Sequence, residues 1–172
     1  MKDNKFTENR LELEQVLVRQ FRLLQEMLAL SKKERDSLLN EPDFILKIVE
    51  DKEALLDRMS VMEDYCRKVV QEFSLVLELH SEQTSIEALL PHFQPEDTSR
   101  IRNLSEGISS LASEVRELNR ANQALALSKL EWLKATQAFL ISIFQPESDG
   151  YSAQKFGNKH QEATGLGVEY RV

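Results

Sequence analysis

Cysteine is almost missing from this chain. Cys66 stands alone, so no internal disulfide and no cysteine-based zinc site can form. It falls at a core position of a helical pattern, where a small buried hydrophobe is the expected role. Glycine and proline are scarce too, at five and four among 172 residues. Four of the glycines (Gly150, Gly157, Gly165, Gly167) crowd into the end of the chain and leave Gly107 as the only one before them. Almost everything up to about residue 145 is therefore free to be helix, and the tail is not. Positive charge is in deficit: 22 Lys and Arg against 29 Asp and Glu give a net charge of −7, which repels a phosphate backbone and argues against nucleic acid as a partner. No apolar run nears the roughly 18 to 20 residues that cross a bilayer. The opening MKDNKFTENRLELEQ has no apolar h-region, so a cytosolic protein without stable membrane insertion is expected.

What the sequence does have is helical periodicity, punctuated by Pro42, Pro91, Pro95 and Pro146. A proline inside a helix costs about 3 kcal/mol, so these residues should mark the limits of three long helices. The first spans residues 7–39, with Thr7 as N-cap and a stripe at Leu17, Phe21, Leu24 and Leu28, widened by Leu13, Leu23, Met27 and Leu30. The second spans 43–79 and repeats at sevens through Ile48, Leu55, Met62, Val69 and Val76, with Ile45, Met59, Cys66 and Phe73 alongside. Its opposite faces carry Glu53, Asp57, Glu63, Arg67 and Lys68, a solvated surface. Between 81 and 98 the periodicity lapses, although Thr84 with Glu87 has capping-box spacing and could start a short turn.

The third helix should run over residues 99–144, with Ile101, Leu104, Ile108, Leu111, Val115, Leu118, Leu125, Trp132, Phe139 and Ile143 packing inward. The neighbouring stripe changes character midway. It reads Ser105, Ser109, Ala112, Arg116, Asn119 and Gln123, then Ala126, Leu130, Leu133, Gln137, Leu140 and Phe144. Leaving three leucines and a phenylalanine in water forgoes about 1.5 to 3 kcal/mol each, so a cover is expected: another helix of the chain, its tail, a second copy or another protein. The fold class is thus all-α, an elongated bundle of three long antiparallel helices over residues 1–145, followed by a flexible tail over 146–172.

Catalytic signatures are absent. No GxxxxGK, HExxH or GxSxG occurs, and the glycines at 165 and 167 lack the third glycine of a dinucleotide site. His80, His92 and His160 have no glutamate three residues earlier, as a di-iron bundle needs. No enzymatic activity, cofactor or metal is expected.

Lys52-Glu53-x-Leu55-Leu56, then Glu63 with Arg67, then Asn119-x-x-Asn122-x-x-Leu125 in a long last helix, followed by Tyr151 and Gly157, resembles the FlgN-type flagellar export chaperones. The likeness covers about residues 11–157 and is one of pattern and order; the end beyond Gly157, VEYRV, has no counterpart in it. It implies an all-α protein of the cytoplasm that binds the C-terminal helical segments of hook–filament junction (hook-associated) proteins, keeps them from assembling early and delivers them to the type III export gate. Leu130, Leu133, Leu140 and Phe144 would then form the client groove, with Trp132 and Phe139 as anchors. Asn122 takes an apolar residue's place on the inward stripe and Asn119 lies on the stripe that changes, so both have two readings: fixing register, or hydrogen bonding to the client. Tyr151 and Phe156 are either surface residues of the tail or a docking segment for the gate. The rival class is a self-associating coiled-coil scaffold, in which residues 124–144 bury against another copy. A monomer before client binding favours the chaperone.

Overall fold

The computed structural model describes residues 2–79 and 85–144, with side chains from residue 5 onward. Among them there is no strand. Helix α1 (Lys2–Leu39) leads through a 3-10 turn (Pro42–Phe44) to α2 (Ile45–Val76); α3 (Ile86–Leu89) and a second 3-10 turn (Leu90–His92) then lead to α4 (Pro95–Phe144). The described residues are all-α, with four α-helices: three long ones and, in the connector where a short turn was expected, the short α3. Residues 146–172, and with them the expected tail, lie outside the described residues.

Helix α1 starts well before Thr7, which is therefore an interior residue and not the N-cap. Phe6 is the reason: its ring lies 5.2 Å from that of Phe73 and 5.9 Å from that of Phe93, so the first turns are held by an aromatic cluster. At the other end Ser37 Oγ donates to Glu41 O at 2.6 Å, and Pro42 opens the 3-10 turn. Helix α2 stops at Val76, short of residue 79. Glu78 takes a left-handed φ of 58°, while Leu79 N reaches back to Ser74 O and Glu78 N to Leu75 O, the paired bonds of a Schellman ending. Ser85 caps α3 by accepting from Ala88 N at 3.2 Å; Thr84, the expected cap, lies outside the described residues. Helix α4 begins at Pro95 rather than residue 99, because proline suits a first helical position and Glu96 and Asp97 complement the helix dipole.

The first compact unit, residues 1–134, contains the packed helices. Between α1 and α2 the partners run in opposite directions: Tyr65 donates to Glu12, Arg58 to Glu26 (3.2 Å) and Lys52 to Glu34 (2.7 Å). Helix α4 runs the same way as α1, with Arg10 on Asp97 (2.6 Å), Arg100 on Glu14 (3.2 Å) and Ser31 on Asn119 (2.9 Å). The backbones of α1 and α2 approach closely, and Gly107 of α4 lets the Phe21 ring of α1 come against it. Two apolar clusters lie between these helices. One gathers Leu13, Val16, Leu17, Cys66, Val69, Val70, Phe73, Leu89, Phe93 and Ile101; the other gathers Leu23, Met27, Leu28, Leu55 and Val115. Leu89 and Phe93 draw the connector into the first core, so the stretch without periodicity is still anchored.

Candidate functional site: a polar layer and the bare end of α4

A layer of polar side chains lies beyond the second apolar cluster. Ser31 and Glu34 come from α1, Lys52 from α2, and Asn119 and Asn122 from α4. Asn119 Oδ1 accepts from Ser31 Oγ (2.9 Å) and from Lys52 Nζ (2.9 Å). Lys52 Nζ also donates to Glu34 Oε2 (2.7 Å), the same oxygen that accepts from Asn122 Nδ2 (2.7 Å). Asn122 Nδ2 donates in addition to the backbone O of Ser31 (2.8 Å), which fixes the orientation of its amide. Asn122 is 2% exposed, and its Oδ1 has no hydrogen-bond partner. Three residues quoted from the sequence, Lys52, Asn119 and Asn122, therefore meet at one place. Ser31 and Glu34 complete it and were missed. Their signal is legible afterwards: they continue the α1 stripe of Leu24, Met27 and Leu28 at helical spacing, two polar residues on an apolar face.

About two turns beyond Asn122, Lys129 Nζ donates to Leu39 O at 3.4 Å, a cation at the last carbonyls of α1. Helix α1 ends there and α4 does not. Leu125 is still half-buried, but Leu127, Leu130, Trp132 and Leu133 are exposed, Trp132 by 66%. Within the second unit (residues 135–172), the described residues 135–144 continue the helix, and Phe139, Leu140, Ile141, Ile143 and Phe144 are exposed as well. This corrects the expectation that Trp132, Phe139 and Ile143 pack inward. For Trp132 the cause is plain, since α1 supplies no wall past Leu39. The two stripes that differ in the first half of α4 are alike in the second, and Leu127 and Ile141, on neither stripe, join them. Tyr151 and Phe156 lie outside the described residues.

Burial pushes the Cys66 thiol above its ordinary range, with a hydrogen bond to Gln20 opposing, so it stays protonated at neutral pH. An open groove of about 530 Å³ between α1 and α2 is lined by Arg19, Arg22, Leu23, Glu26, Asp57, Arg58, Val61 and Met62, with Arg58 already paired to Glu26. Among the described residues no three His, Cys, Asp or Glu side chains are grouped to hold a metal ion, and no helix is long and apolar enough to cross a membrane.

The described residues form a helical protein knit by a buried polar layer, with exposed apolar side chains along the end of its last helix. Residues 9–156 match the family model described as FlgN protein. The chain belongs to the FlgN family, which is one of flagellar export chaperones and not of enzymes. No curated protein and no solved structure matches it.

Proposed function

We propose that this chain is a cytoplasmic type III export chaperone. It binds the C-terminal helical segments of hook–filament junction proteins, prevents their premature assembly and delivers them to the flagellar export gate. The observation that carries this reading is the exposure of the large apolar side chains of α4 beyond Leu125. A client segment of this kind is amphipathic and unstructured before assembly; laying its apolar face on a helix recovers the cost of ordering it. Leu130 and Leu133 in the first unit, and Leu140 and Phe144 in the second, supply apolar area, with Trp132 and Phe139 as aromatic anchors. Asn119 and Asn122 serve the site by holding α4 to α1 and α2; direct hydrogen bonding to the client is their second role in this reading. Tyr151 and Phe156 would dock the loaded chaperone on the gate.

The test is calorimetry with the C-terminal segment of a junction protein from the same organism. Saturable binding near one to one is expected, abolished by Leu133→Asp with Leu140→Asp while helicity and melting temperature stay close to native. No heat at tens of micromolar would remove the reading's support. A second reading, self-association through the same end of α4, draws on the same exposed side chains. Mass in solution separates the two: the chaperone is a concentration-independent monomer before client binding, and the scaffold is a dimer that the Asp pair converts to a folded monomer.

A further inference from the structure

The apolar pattern of α4 does not by itself fix where that helix sits along α1 and α2. Leu104, Leu111, Leu118, Leu125 and Trp132 recur at intervals of seven. Sliding the helix by one heptad, roughly 10 Å of rise, therefore returns a leucine or the tryptophan to nearly every vacated place. What distinguishes the registers is polar or steric. In the observed register Asn119 and Asn122 meet Ser31, Glu34 and Lys52. One heptad along, Asn122 would land in the buried place of Val115, beside Leu23 and Met27. Ala126 would stand opposite Lys52, which would lose the Asn119 acceptor and keep only Glu34, and Lys129 would take the buried place of Asn122. Gly107 adds a notch, because Phe21 Cε2 lies 3.0 Å from where a Cβ would be, and the slid helix brings Glu114 there. Phe93, buried just ahead of α4, ties the start of the helix to the core.

We infer that the polar layer is a register lock. It holds α4 one heptad further out than the apolar pattern alone would hold it, and so keeps Leu125 half-buried and Trp132 exposed. With the lock removed, α4 slides inward, Leu125 takes the place of Leu118 and Trp132 takes the place of Leu125. A buried asparagine is known to select register in this manner in paired helices, at some cost in stability. The inference concerns the chain alone and does not depend on what the exposed end binds.

Two cross-linking pairs read the register directly. Arg10 lies beside Asp97 in the observed register, and a one-heptad slide would put Leu104 there instead. In a Cys66→Ser background, a short bis-maleimide should join Arg10→Cys to Asp97→Cys and leave Arg10→Cys with Leu104→Cys unjoined. Adding Asn119→Leu with Asn122→Leu should reverse that preference and move the emission of Trp132, the only tryptophan, to shorter wavelength. Glu34→Gln with Lys52→Met unlocks the same layer without touching α4 and should give the same reversal. If the 10/97 pair remains the one that cross-links in both unlocked backgrounds, with native helicity, the inference is wrong. Loss of folding in both also overturns it, because the layer would then supply stability and not the choice of register.

Discussion

Val115 and Leu133 lie on the same helix about five turns apart, at nearly the same angle about a straight helix axis although the heptad pattern puts them on neighbouring stripes. Val115 is 7% exposed and Leu133 is 56% exposed. Nothing in the residues themselves accounts for the difference, since both are branched aliphatics in good helical sequence. What differs is the wall opposite them. Val115 faces Leu23, Met27 and Leu55, whereas Leu133 lies beyond Lys129 and the last carbonyl of α1. Periodicity states which face of a helix is apolar; it is silent on whether anything stands against that face. In most proteins the distinction is lost because the helices of a bundle end together. Here they do not, and the unequal lengths of α1 and α4 turn an ordinary core stripe into an uncovered one.

Substitutions should therefore have opposite signatures in the two regions. The largest effect is expected at Phe73, fully buried on α2 and in ring contact with Phe6 and Phe93: Phe73→Ala should lower stability by about 3 to 5 kcal/mol in urea unfolding. An intermediate effect is expected in the polar layer. Glu34→Ala strips one partner each from Lys52 and Asn122, and should cost about 1 to 3 kcal/mol by the same measurement. Glu78→Gly should act in the other direction, raising stability by about 1 kcal/mol, because the left-handed φ of 58° at the end of α2 suits glycine better than glutamate. The smallest effect should be at Leu133, where truncation to Ala is expected to change stability by less than about 0.5 kcal/mol. A loss of several kcal/mol there would mean that Leu133 has a wall after all, and the comparison between the two halves of α4 would fail.

Much of this architecture can be read from the residues. The heptads of α2 and the first half of α4 locate the core, Pro42 and Pro95 sit at real helix starts, and Cys66 is buried as its place in the pattern implies. The early start of α1 could not be read, because it depends on Phe6 meeting Phe73 and Phe93 across the fold. Nor could the stop of α2 at Val76, which rests on a glutamate in a conformation that usually signals glycine. For the candidate site the apolar residues of the last helix were identifiable, but their surroundings were not. Trp132 fits a core stripe by every sequence criterion and is exposed because α1 ends at Leu39. Lys52, Asn119 and Asn122 could be singled out by resemblance; that they form one hydrogen-bonded layer with Ser31 and Glu34 is a fact of three-dimensional packing.

Under the proposed function the exposed end of α4 is covered only when a client binds, and Trp132 is placed to report on this without any label. A fluorescence titration of the full chain with the C-terminal segment of a junction protein tests it in one experiment. Long-wavelength emission is expected from the free protein, in keeping with 66% exposure of Trp132, with a saturable shift to shorter wavelength complete near one equivalent. Short-wavelength emission before any segment is added would show that the tryptophan is already covered, so that no client is needed to bury it.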